Sequence, residues 1–161
     1  MDNVMGCVER ALNKLVQNDI YLLENDIHER TITHCLAIYL GEQFPGWNVD
    51  CEYNNDLGPG KRIRVITEDL SRLFDDEDIY AYENYECRAV YPDIIVHQRG
   101  TDQNLLVIEV KKNNQAGAFD KVKLSRYKQE LQYQHALFLR ISTGRPISVK
   151  SEWYHIDPVL S

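Results

Sequence analysis

Long apolar runs are missing from this 161-residue chain. None approaches the roughly 20 residues that a membrane-spanning helix requires. Cysteine is sparse. Cys7, Cys35, Cys51 and Cys87 lie far apart and include no C-x-x-C pair, which argues against a zinc site. Each sits among apolar neighbours, so buried, reduced thiols in a cytoplasmic protein are expected. The first residues, Met-Asp-Asn-Val-Met-Gly-Cys, lack the basic segment and apolar stretch of a signal peptide. Glycine-rich phosphate loops, a G-x-S-x-G elbow, internal repeats and low-complexity tracts are also absent. His28, His34, His97, His135 and His155 show no H-E-x-x-H spacing, and only His97 lies near enough to the motifs below to act as a supporting residue.

What is present is the composition of one ordinary folded domain, 43% hydrophobic and 27% charged, long enough to bury a core. The net charge of −7 argues at first against a polyanionic partner. Its distribution argues the other way. Residues 111–150 carry nine Lys/Arg (111, 112, 121, 123, 126, 128, 140, 145 and 150) against two acids, Asp120 and Glu130. A basic working face on an acidic body, or chance clustering on a solvated helix, both fit that split.

Apolar periodicity predicts an extra N-terminal helix within 1–18, from Val4, Val8, Leu12, Leu15 and Val16, with a break at Asn18-Asp19. A second helix is predicted over about 26–43, closed by Gly41 and Pro45. Alternation from Trp47 to Asn54 predicts a half-buried strand. Gly58-Pro59-Gly60 predicts a turn. Residues 55–90 are expected to be an insertion outside the core, either a lid or an acidic surface loop. It would hold a short strand at 61–66 and a short helix near 68–74. Strands over about 88–97 and 104–112 are joined by the polar linker 98–103, which suits a hairpin. Helix 119–132, strand 135–141 and strand 147–156 complete an α/β chain on a mixed sheet of about 4–5 strands.

Pro92-Asp93 and Glu109-Val110-Lys111 carry the chemistry. Carboxylates and a lysine inside apolar strands are expensive to keep dry and unpaired. Strand alternation puts Glu109 and Lys111 on one face, and an antiparallel hairpin brings Asp93 beside them. Two neighbouring carboxylates repel each other, and a divalent cation relieves that repulsion. A plain Glu–Lys pair at a strand edge would leave Asp93 unexplained.

This pattern resembles the PD-(D/E)XK nuclease superfamily. The resemblance spans about residues 26–142 and implies a restriction-endonuclease-like three-layer αβββαβ core. It implies that Asp93, Glu109, the Val110 carbonyl and an acid from the first core helix bind Mg²⁺ or Mn²⁺, and that Lys111 positions or deprotonates the attacking water. Glu29, in register with Ile32, Leu36 and Leu40, is the candidate helix acid, with Glu24 and Glu42 as rivals. Where some branches carry Gln-x-x-x-Tyr, this chain has Lys123-Leu-Ser-Arg-Tyr127, a phosphate contact or else a basic helix with Tyr127 in the core. Lys112, Lys121, Lys123, Arg126 and Tyr127 become candidate nucleic-acid contacts. The implied activity is a metal-dependent deoxyribonuclease, expected to cut internally and to form a homodimer, with helix 2–17 as a candidate interface. The alternative is an inactive nuclease-fold module that binds nucleic acid or a protein partner.

Overall fold

In the computed structural model, which describes residues 2–54, 61–66 and 85–154, helix α1 (Asp2–Asn18) opens the chain. A one-turn helix α2 (Ile20–Glu24) follows, and α3 (Glu29–Gln43) comes next. The predicted break at Asn18-Asp19 therefore separates two helices. Its successor is a short turn that buries Leu23, too short to leave a periodic signal. The His28 ring caps α3 by accepting the Arg30 N–H at 3.2 Å.

Among the described residues seven strands follow: β1 (Asn48–Cys51), β2 (Arg62–Ile66), β3 (Tyr85–Ala89), β4 (Ile94–His97), β5 (Asn104–Lys112), β6 (His135–Ser142) and β7 (Ser148–Tyr154). Helix α4 (Ala118–Glu130) links β5 to β6. Five strands form a mixed sheet in the order β1-β4-β5-β6-β7. All neighbours are antiparallel except β5 and β6, which run parallel because α4 crosses between them. The linker 98–103 is the hairpin turn, with Gly100 at φ +73° where a side chain would be strained.

The sheet is the middle of three layers. Ile94, Val96, Leu106, Ile108, Val110, Leu137, Leu139 and Ile141 point to one face, against Val8, Leu12 and Leu15 of α1 and Ile32, Leu36 and Leu40 of α3. Ile95, Val107, Ala136 and Phe138 point to the other, against Leu124 and Tyr127 of α4. The alternation that predicted the strands thus also feeds two cores. The apolar stripe of α1 is thus buried inside the protein.

Two expectations need correction. The single strand over 88–97 is two strands: β3 pairs with β2 in a separate two-stranded sheet, and β4 enters the main sheet. The break falls at Pro92, which has no N–H to give a ladder. The described ends of the 55–90 segment are also not outside the core. Ile63 and Val90 are buried beside Leu124 and Tyr127, and Lys61 is only 2% exposed, over the Tyr133 ring. The expected turn at 58–60, the helix near 68–74, and His155 with the end of the last strand lie outside the described residues.

Close packing of α4 on the sheet depends on Gly117, the residue before its first turn. A Cβ there would stand 2.5 Å from Cζ of the buried Phe138 ring. Gly117→Ala is expected to destabilise the fold by about 1–3 kcal/mol, the range for overpacking. Urea denaturation measures it, and an unchanged midpoint would show that the ring has room to move.

Candidate active site

The β4–β5 hairpin positions the first three residues. Its last regular pair is Ile94↔Ile108, so Asp93 lies beside Glu109 just past the end of the ladder. Asp93 Oδ2 accepts the Val110 N–H at 2.7 Å. A strand residue directs its N–H and C=O to the same edge. The Val110 carbonyl therefore also faces the β4 side, opposite Pro92, which has no N–H to offer it.

Glu109 projects from the α4 face of β5 and is 1% exposed. Tyr127 Oη donates to its Oε1 at 3.0 Å, and Lys123 Nζ stands 2.9 Å from its Oε2. Lys123 and Tyr127 are four residues apart, so one helix face delivers both. The basic-helix and core readings of this segment merge: Tyr127 is fully buried, yet its hydroxyl serves Glu109.

Lys111, two residues beyond Glu109 on the same face, reaches Asp120 of α4 at 3.2 Å and Glu29 of α3 at 3.7 Å. Glu29 is the acid that α3 delivers: its Oε2 accepts the Lys112 N–H at 2.7 Å. Of its rivals, Glu24 pairs with Arg145 and Glu42 with Lys14.

Asp120 was not among the sequence candidates. It bridges the two lysines, 3.2 Å from Lys111 and 2.8 Å from Lys123. The groups form a chain of alternating charge, Glu29–Lys111–Asp120–Lys123–Glu109, and Asp93 lies beside it. Its sequence signal was weak: an acid in the first turn of a helix is ordinarily a solvated partner of the helix dipole.

Burial governs the electrostatics. It pushes the Glu109 carboxyl up to about 8, against the opposing pull of Lys123. It also raises Asp93, opposed by the Val110 N–H and by Lys111 and Lys123. Burial works against the Lys111 ammonium too, but Asp120, Asp93 and Glu29 outweigh it and raise its pKa. Without a metal ion, the charged form of Lys111 is therefore the one that these three carboxylates favour.

A cleft of about 350 Å³ opens onto Glu29 and Asp93, and His28, Arg30, Thr33, His34, Cys51 and Glu52 form the rest of its lining. Cys51 is exposed there, unlike the buried Cys7 and contrary to the expected burial of every thiol. His97 is remote from this cleft in function: its Nε2 lies 2.8 Å from Asp50 Oδ2, in a pair shared with Arg99.

The other candidate contacts are engaged by the protein itself. Lys112 Nζ bonds the carbonyls of Asp26 and Ile27 and pairs with the Asp26 carboxylate. Lys121 pairs with Glu152 at 2.7 Å, and Arg126 with Glu130 at 3.8 Å.

No family model, curated protein or solved structure matches this chain. Among the described residues, no three His, Cys, Asp or Glu side chains converge closely enough to hold a metal ion between them. The donor chemistry nevertheless suits a hard divalent cation: carboxylate oxygens from Asp93, Glu109 and Glu29 and a main-chain carbonyl opposite Pro92. Lys111 and Lys123 supply the positive charge that holds these acids together.

Proposed function

We propose that this protein is a divalent-metal-dependent nuclease with a restriction-endonuclease-like core. The carrying observation is the run of ion pairs that links Glu29 of α3 through Lys111, Asp120 and Lys123 to the buried Glu109 of β5, with Asp93 bonded to the Val110 N–H beside it and Glu29 and Asp93 lining the cleft. The element order α3-β1-β4-β5-α4-β6, with β1-β4-β5 antiparallel and β5-β6 parallel, supports the same reading.

Asp93, Glu109, Glu29 and the Val110 carbonyl are the groups that would hold Mg²⁺ or Mn²⁺. The cation would supply Lewis-acid charge at the scissile phosphate and lower the pKa of water bound to it. Lys111, kept charged by Asp120 and Glu29, offsets negative charge developing on the phosphoryl oxygens. Tyr127 fixes the orientation of Glu109 through its hydroxyl. Lys123 keeps Asp120 as a partner when it leaves Glu109, so that acid can turn to another cation without stranding a buried ammonium. DNA is the substrate this reading favours. Cutting both strands calls for two such sites, and hence a homodimer.

One observation favours a second reading, a nuclease fold that binds without cutting: both oxygens of Glu109 are already engaged, by Lys123 and by the Tyr127 hydroxyl. Supercoiled plasmid incubated with Mg²⁺, Mn²⁺ or EDTA separates the two. Metal-dependent nicking is expected, and Lys111→Met should slow it by roughly 10²–10³-fold, the scale for losing one charge-stabilising group. Nicking that persists in EDTA, or binding without cleavage in either metal, would reject the hydrolytic mechanism.

A further inference from the structure

The charge split in the sequence finds a specific form on the sheet. Lys111, Arg140 and Lys150 are register partners on β5, β6 and β7. They share the α4 face with Glu109 and Phe138, two residues before Lys111 and Arg140. Like charges placed directly opposite on neighbouring strands destabilise a sheet, so a row of three needs compensation.

The protein compensates only part of it. Arg140 donates to the Asn113 and Gln115 carbonyls at 2.5 and 2.9 Å, and its guanidinium lies over the Phe138 ring. Lys121, from α4, lies over the same ring and pairs with Glu152. Lys111 and Lys123 share Asp120. Lys150 is exposed, and no acid comes within ion-pair distance of it among the described residues. Five cations (Lys111, Lys121, Lys123, Arg140 and Lys150) thus face three acids (Glu109, Asp120 and Glu152) among the described residues of this surface, and Lys111 also reaches Glu29 of α3. With neighbouring strands about 4.8 Å apart, the row spans roughly 10 Å outward from the carboxylates.

We propose that the Lys111–Arg140–Lys150 row, with Lys121 beside it, is the track along which one polynucleotide backbone leaves the cleft. The direction rests on the nuclease reading, because that reading places the scissile phosphate at the Lys111 end. A polyanion with regularly spaced phosphates supplies the compensation that the sheet lacks. The track bypasses Lys112 and Arg126, whose partners are carbonyls and acids elsewhere.

The test uses the full chain carrying Asp93→Asn, so that DNA is bound and not cut. Its affinity for a short labelled DNA, single-stranded and duplex, is measured by fluorescence anisotropy across a salt series. Adding Lys121→Gln and Lys150→Gln together should weaken binding about 10-fold or more at low salt and reduce the log–log salt slope by about two, one for each lost phosphate contact. Lys14→Gln, on the opposite layer, should change neither value. An unchanged slope in the double variant, or no DNA binding by the Asp93→Asn parent, overturns the track. A parent that binds with the expected slopes, beside a wild-type protein that never cuts, rejects the nuclease reading and leaves the track standing.

Discussion

Asp93→Asn is expected to abolish metal-dependent DNA cleavage while leaving the fold at least as stable as before. The loss should reach roughly 10²–10³-fold or more, since the change removes a carboxylate from the group that would hold the cation. The stability side follows from burial. Burial raises the Asp93 pKa, so its charged form is held at a cost. An amide keeps the carbonyl that accepts the Val110 N–H at 2.7 Å and removes that charge. Metal-free urea midpoints should therefore be equal or higher in the variant. Any midpoint increase that Mn²⁺ gives the wild type, which grows as RT ln(1 + [L]/Kd), should shrink in the variant. A variant that still cuts at the wild-type rate would remove Asp93 from the site. A variant that fails to fold would show that its charge is structural.

The core of this arrangement was legible because it obeys local rules. Strand alternation placed Glu109 and Lys111 together, and the 98–103 linker fixed the hairpin that sets Asp93 beside them. Glu29 followed from helical spacing with Ile32, Leu36 and Leu40, all of which are buried. Features set by tertiary contact were not legible. Asp120 belongs to the site only because Gly117 lets α4 settle against Phe138 and turn that acid toward β5. The division of the 88–97 run depends on β2, whose ladder with β3 runs from Ile66↔Tyr85 to Arg62↔Ala89, far apart in sequence. Pro92 was the clue. A proline within an apparent strand marks a place where one ladder stops, and here it has no N–H to offer the Val110 carbonyl. The surplus of lysine after residue 110 was visible as composition, but its separation into a site, an internal brace at Lys112 and a row across three strands required the sheet register.

Glu109 leads to the second large effect, a pH dependence that runs opposite to that of ordinary paired carboxylates. Asp50, held by Arg99, has a lowered pKa and contributes stability that is lost as pH falls. Glu109 has a raised one. The folded protein retains its proton up to about 8, whereas the unfolded chain releases it near 4.5. Between those values the native state binds more protons than the unfolded state, so stability falls as pH rises. The contribution is fully present below pH 4.5, declines through the window, and is exhausted above pH 8. Each unit of separation corresponds to about 1.4 kcal/mol, which makes the total on the order of several kcal/mol. Lys123 does not offset this trend within the window, because its own pKa is raised above 10.5 and Asp120 keeps it charged. Glu109→Gln removes the titrating group and keeps one carbonyl acceptor, for Tyr127 or for Lys123, which bond different oxygens of the carboxyl. Urea denaturation in EDTA at pH 5, 6, 7 and 8 should therefore show a wild-type advantage at pH 5 that shrinks or reverses by pH 8. Parallel curves for the two proteins would mean that Glu109 is already ionised at pH 5 and that Lys123 fully offsets its burial. Under the nuclease reading, Mg²⁺ or Mn²⁺ should flatten the wild-type curve near pH 8, because a cation at Glu109 stabilises the ionised form in place of the proton. The same ions should leave the Glu109→Gln curve nearly unchanged.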